Sequence, residues 1–268
     1  MNKFDIKDGL DKLIYKTYNH LSDVLFHLDP EAKRLVAKNV AFRNIHQNER
    51  CFILGTGPSL GLLTPDQLNT LACETLFGVN SFYKADLASV LKPSYYAITD
   101  DLYWKDWKWI FGEIADKFSD KPPTFITDPR ARKLIEGLPN VEQPIYVYAK
   151  KYPTNRMSDE LTRNIYATMN VVSSSILVAM YMGFKEIYLL GCDYNAFCSA
   201  GRGHCYDDEK ELDGISYNLA FFLKYYWITT EFHYLIARLA KEKGIKIVNL
   251  ASASLLDAYP RVQVSEVL

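Results

Sequence analysis

The chain has 268 residues, of which 49% are hydrophobic and 24% charged, and its formal net charge is -1. This is ordinary globular usage, which excludes a mainly disordered chain, and the near-neutral balance carries no overall footprint for nucleic acid or an anionic surface. Five cysteines, Cys51, Cys73, Cys192, Cys198 and Cys205, lack the CxxC spacing of a structural zinc site and read as reduced thiols of a cytoplasmic protein.

The first residues, MNKFDIKDGLDKL, place charges where a signal peptide needs an apolar core, and no stretch approaches the roughly 18 apolar residues of a membrane span. From residue 4 to about 40, Leu10, Leu13, Ile14, Leu21, Val24, Leu25 and Leu28 recur at three- and four-residue intervals. This spacing predicts an amphipathic helical arm over 1–48, broken near Pro30. Its apolar stripe is expected to pack on the main domain, with a subunit contact or a membrane-surface contact as the alternatives.

From residue 50 short apolar runs alternate with turns and helical stretches. Strands are predicted at Cys51 to Leu54, Thr75 to Val79, Tyr95 to Ile98, Thr124 to Thr127, Ile145 to Tyr148, Ile187 to Leu190 and Ile245 to Asn249. Several are bare apolar runs, as strands covered on both faces are, so 49–268 is expected to form a Rossmann-like, doubly wound α/β domain with a mostly parallel sheet. Helices are predicted at Val171 to Met182 and Thr230 to Lys243, each stopped by a glycine, Gly183 and Gly244. Polar and aromatic stretches at 149–168 and 195–229 are read as inserts beyond strand ends that build a lid over the active site.

The segment CFILGTGPSL carries the first chemical signal. Gly55 and Gly57 let a backbone approach a phosphate or ribose, and Thr56 and Ser59 offer hydroxyls beside Pro58. Leu60 occupies the place of the last glycine of a dinucleotide fingerprint, and no Gly-Lys-Ser/Thr follows, so the turn is neither an NAD motif nor a Walker loop. Asn80, ending GVN, is suited to a ribose hydroxyl or base edge. Asp100 and Asp101 follow another strand, where they either bind Mg²⁺ with substrate phosphates or cap a helix. The aromatics Tyr103, Trp104, Trp107 and Trp109 either stack on a sugar or base or pack a helix. Ser173, Ser174 and Ser175 open the helix after Asn170 and offer an anion site, with simple capping as the alternative.

Asp193 and Tyr194 follow the strand ending at Leu190, and a glycine-containing loop with Gly201, Arg202, Gly203, His204, Cys205, Asp207 and Asp208 comes next. His204 is the best general-base candidate, because a loop imidazole titrates near neutrality and can meet a substrate hydroxyl. His233, on an apparent helix, is the reserve base, and His20, His27 and His46 belong to the arm. No second group of ligands accompanies His204 and Cys205, so no metal site is expected.

The segments GTGPSL, FGVNSFY and GFKEIYLLGCDYN, in this order and each at a strand end, resemble bacterial sialyltransferases of glycosyltransferase family 42. The resemblance covers roughly 50–210 and implies a GT-A-like nucleotide domain, a CMP-activated sugar as substrate, no metal cofactor, and a histidine base on a mobile loop. Transferred by position, Gly55, Thr56, Gly57, Pro58 and Ser59 would line the nucleotide, and Asn80 would hold its ribose or base. Ser173, Ser174 and Ser175 would meet donor phosphate or carboxylate, and Tyr194, with Tyr152 and Arg156, would face the leaving phosphate while His204 acts as base. Thr56 stands where that family commonly has asparagine, and NVVSSS replaces its Thr-Ser-Gly.

The GTGPSL turn and the Gly-x-Asp after the late strand also resemble MptE-like 6-hydroxymethylpterin pyrophosphokinases and their relatives in surface-glycan loci. That resemblance implies ATP, with Asp100 and Asp101 carrying Mg²⁺. The first reading is therefore an inverting transferase that moves an acidic sugar, sialic acid or a relative such as Kdo, from a CMP donor to a glycan or glycolipid acceptor in lipopolysaccharide or capsule biosynthesis. No nucleic-acid partner is expected, and peripheral association with the inner membrane and homo-oligomerisation stay open. The alternatives are a Mg-dependent pyrophosphokinase and a non-catalytic nucleotide or glycan binder.

Overall fold

In the computed structural model, residues 3–198, 203–207 and 218–268 are described. Gly201, Arg202 and Asp208, and much of the lid expected at 195–229, lie outside them.

Seven strands form one sheet: β1 (Arg50–Leu54), β2 (Leu76–Val79), β3 (Tyr95–Ile98), β4 (Thr124–Thr127), β5 (Ile145–Tyr146), β8 (Glu186–Leu190) and β9 (Lys246–Asn249). All neighbours in the order β5-β4-β3-β2-β1-β8-β9 are parallel. Each strand predicted from the sequence is present, within about two residues at its ends. Successive side chains point to opposite faces, which explains the bare apolar runs. Cys51 and Ile53 of β1 pack into one buried cluster with α7 (Val171–Met182) and α8 (Leu219–Glu242), while Phe52 and Leu54 enter the other with α5 (Ile110–Lys117). Between β4 and β5 the chain forms a 3-10 turn at Pro129–Ala131 and the short α6 (Arg132–Ile135).

The glycines end their helices as expected. Gly183 has φ +98° and Gly244 φ +63°, the left-handed geometry that stops a helix without a Cβ clash. The helix predicted from Thr230 begins earlier, at Leu219, where the side chain of Asn218 accepts from the Phe221 amide.

The insert at 149–168 holds two short parallel strands absent from the sequence reading, β6 (Ala149–Lys151) and β7 (Ile165–Tyr166). They dock the N-terminal arm. That arm is α1 (Lys3–Leu28) and α2 (Pro30–Ala37), broken at Pro30, where Asp29 caps α2 by accepting from the Ala32 amide. Asn19 of α1 donates to the Tyr152 carbonyl at 2.8 Å and accepts from its amide at 2.6 Å, so one side chain completes the edge of β6. Asn164 donates to Ser22 and Asp23, and Tyr15 stacks on Tyr152.

The stripe expected to pack on the domain does not. Leu10, Leu13, Ile14, Leu21, Val24, Leu25 and Leu28 are between 41% and 73% exposed, whereas Phe26 is buried with Leu35 and Val36 of α2. Polar pairing to the insert, rather than leucine burial, sets which face of α1 meets the domain.

Candidate functional site

The strand order reverses direction between β1 and β8, and in an open parallel sheet a cleft forms outside the carboxyl ends of strands at such a point. The turn after β1 and the turn after β8 are fastened there. The Gly55 amide donates to Leu190 O at 2.7 Å, the Gly57 amide to Gly191 O at 2.8 Å, and the Ser59 amide to the Asp193 carboxylate at 3.0 Å. A Cβ on Gly55 would sit 2.5 Å from Gly191 O, and one on Gly57 would collide with the Asp193 carboxylate and lie 2.6 Å from Gly191 O. The glycines are therefore required first by the close approach of two loops.

Above these turns lies a cavity of about 640 Å³ lined by Gly55, Thr56, Gly57, Asn80, Asp100, Ser174, Asp193, Tyr194 and His204 among others. Three non-glycine residues on its wall, Asn80 (φ +44°), Met169 (φ +51°) and Tyr194 (φ +56°), adopt left-handed backbone. For a methionine and a tyrosine this is uncommon, and such strain persists where surrounding structure enforces it. Asn80 has a further mark: its side-chain oxygen is buried at the cavity with no hydrogen-bond partner among the described residues.

His204 reaches the cavity half-buried, its ring stacked on Tyr206 at 5.1 Å. The next residue holds the loop in place, since the Cys205 amide donates to Thr56 O at 2.7 Å. The histidine and the glycine turn are thereby one mechanical unit. His233 differs in kind. It is fully buried between Ser173 and Tyr259 at the floor of the same lining, and burial pulls its pKa down to about 3, so it stays neutral near pH 7. Burial raises the thiols of Cys192 to about 12 and Cys205 to about 11, so both stay protonated near neutral pH.

Of the other expected residues, some line the cavity with their polar groups already engaged and the rest lie outside it. Asn170 caps α7, its side chain accepting from the amides of Val172 and Ser173. Ser173 turns to His233, Ser175 donates back to Val171 O, and Ser174, although on the cavity wall, bonds Thr168 at 2.8 Å. With these bonds made, the helix start offers few unclaimed donors to the cavity. Pro58 and Ser59 open a short 3-10 turn behind the lining. Tyr152 is stacked in the arm contact, and Arg156 is exposed outside the cavity. Asp100 lines the cavity but caps α4 (Asp101–Lys105) by accepting from Leu102, and Asp101, also in the lining, pairs with Lys105, which lowers its pKa.

The structure adds residues that sequence reasoning missed. Phe221 and, one turn on, the adjacent Tyr225 and Tyr226 of α8 form an aromatic wall, with the Tyr225 hydroxyl donating to Met169 O at 2.8 Å. Their signal was present as aromatic spacing at four and five residues. Elsewhere in the lining Asp128, Arg130 and Lys150 meet, beside the Trp104 already singled out as a stacking candidate, and nothing in the scattered positions of these three marks them.

Solved structures of similar architecture include the sialyltransferase CstII from Campylobacter jejuni in complex with cytidine-5'-monophosphate, at 16% identity over 81% of this chain and 85% of that one, TM-score 0.47. The same enzyme in complex with CMP-3FNeuAc gives 17% identity over 80% and 86%, TM-score 0.48. The MAf glycosyltransferase from Magnetospirillum magneticum AMB-1 gives 14% over 89% of this chain and 39% of that one, TM-score 0.47. At such distances the likeness is one of general architecture. No curated protein matches the chain. Residues 19–197, which run from the arm through both fastened turns, match the family described as 6-hydroxymethylpterin diphosphokinase MptE-like, and the chain belongs to that family.

Proposed function

We propose that the protein is an inverting glycosyltransferase that moves an acidic sugar, sialic acid or a relative such as Kdo, from a CMP-activated donor to a surface-glycan acceptor. The observation that carries this reading is the bond from the Cys205 amide to Thr56 O, which sets an imidazole beside the nucleotide turn over a shared cavity. His204 takes the proton of an acceptor hydroxyl as that oxygen bonds to the anomeric carbon. The bond from that carbon to the donor phosphate oxygen breaks on the opposite face, and CMP leaves with the electron pair. Asn80, through its unpartnered side-chain oxygen, accepts from a ribose hydroxyl or base amino group, the Thr56 hydroxyl faces the phosphate, and the α8 aromatics cover the sugar.

The family supports a second reading, Mg-dependent pyrophosphoryl transfer from ATP, with Asp100 and Asp101 at the cavity as the metal carboxylates. Thermal unfolding with CMP, UDP, GDP and ATP, each with and without Mg²⁺, separates the two, because a ligand of the folded state raises the midpoint. Metal-independent stabilisation by CMP is expected. Stabilisation by ATP and Mg²⁺ alone would transfer the conclusion to the second reading.

A further inference from the structure

The wall of the cavity farthest from the glycine turn has its own chemistry. Asp128, at the end of β4, is buried, and Arg130 grips it with both Nε at 2.8 Å and Nη2 at 3.0 Å while Lys150 of β6 donates to its second oxygen at 2.7 Å. Burial alone would raise the Asp128 pKa, but the Arg130 hydrogen bonds and the Lys150 charge hold it below the ordinary carboxylate value. One buried negative charge thus orients two positive ones, and the group retains a net positive charge. Arg130 spends two of its five N–H donors on this carboxylate and is half exposed at the cavity. Its guanidinium lies 5.1 Å over the Trp104 ring. Trp104 is 8% exposed, lines the same cavity, and its indole N–H is buried without an acceptor among the described residues.

We infer that Arg130, Lys150 and Trp104 form a subsite for an anionic oxyacid group, a phosphate or carboxylate carried by the acceptor. The inference rests on the transferase reading for the word acceptor and on the geometry alone for the anion. Three inter-strand spacings of about 4.8 Å separate β1 from β4, so the backbone behind this wall stands roughly 14 Å from that of the turn that would hold the donor phosphate, and the two are distinct parts of the cavity. Asp100 and Asp101 stand on the intervening wall, the first capping α4 and the second paired with Lys105; the Asp101 charge also reaches Arg130 and Lys150 through space, but among the described residues no hydrogen bond joins it to the guanidinium. A second cavity of about 270 Å³ shares Asp128, Arg130 and Lys150, which leaves room beyond the subsite for the rest of an extended acceptor.

The test is the binding of inorganic phosphate, acetate and CMP, each alone, to the full chain and to Arg130→Gln, Lys150→Gln and Trp104→Phe, read by thermal unfolding. Phosphate or acetate should stabilise the wild type, and each variant should weaken that response by about tenfold in apparent affinity with the CMP response unchanged. Stronger binding of phosphate than acetate assigns a phosphorylated acceptor, and the reverse a carboxylated one. Trp104→Phe keeps an aromatic ring and both ion pairs while removing the indole N–H, so it reports on the subsite even if an arginine variant folds poorly. No response to either anion, or equal responses in wild type and variants, overturns the inference. Loss of CMP binding in the wild type with a variant-sensitive anion response would instead refute the donor assignment and leave the subsite standing.

Discussion

The amide of Ser59 donates to the carboxylate of Asp193 across 3.0 Å, joining the turn after β1 to the turn after β8. Asp193 is buried, and the Leu255 amide donates to its carbonyl, so one residue ties three segments together. Replacing it by alanine leaves the part-buried Ser59 N–H without its acceptor, which costs about 1 kcal/mol, the low end for such a loss. Asp193→Ala should therefore lower the unfolding free energy by that amount and weaken nucleotide binding, while Asp193→Asn, which keeps an acceptor oxygen, should lose less of both. Denaturant unfolding and CMP titration of the two variants measure the difference. Equal stability of wild type and Asp193→Ala would show that the tie is not needed.

The glycines of the same turn make a sharper prediction. An added methyl at Gly55 meets backbone, Gly191 O at 2.5 Å, which cannot rotate away. Gly61, in the following 3-10 turn, has nothing within 4 Å of its Cβ position. Gly55→Ala should cost on the order of 1–3 kcal/mol as overpacking and abolish nucleotide binding, and Gly61→Ala should leave both intact. Thermal unfolding of both variants, with and without CMP, decides it.

If His204 is the base, its removal should separate chemistry from binding. His204→Ala should reduce CMP release from CMP-N-acetylneuraminic acid by about 10²–10⁴ in kcat and keep CMP affinity within about twofold. The Cys205 bond to Thr56 uses only backbone, so the loop keeps its anchor in the variant. Full activity in His204→Ala would place the base elsewhere.

These relationships differ in how far the sequence alone reveals them. β1 and β8 are visible as apolar runs ending in glycine because burial on both faces removes polar alternation, and the stops at Gly183 and Gly244 are local backbone requirements. The Ser59 to Asp193 tie joins residues 134 apart, and no local pattern encodes it. The stripe on α1 is legible as a stripe, but the face that meets the domain is chosen by Asn19 and Ser22, whose partners Tyr152 and Asn164 flank β6 and β7, strands too short to announce themselves. Tyr225 and Tyr226 were read as part of an insert because the first turns of α8 are aromatic on several sides, which blurs the helical period. Arg130 and Lys150 meet only through Asp128, a convergence of β4 and β6 that propensity cannot show.

The buried His233 makes stability depend on pH in a defined direction. Its pKa falls from 6.5 to about 3 on folding, so the unfolded chain binds a proton between those values that the folded chain does not. Stability is complete above pH 6.5 and declines as pH falls, at up to about 1.4 kcal/mol per pH unit, until the folded histidine itself titrates near pH 3. His233→Gln can keep a polar contact with Ser173 or Tyr259 but binds no proton, so it should be less stable at neutral pH and show a flatter profile between pH 6.5 and 4.5, above most carboxylate titrations. Denaturant unfolding of both proteins at half-unit steps across that window provides the comparison. Parallel profiles would show that His233 accepts its proton without unfolding, which would return it to consideration as a working base.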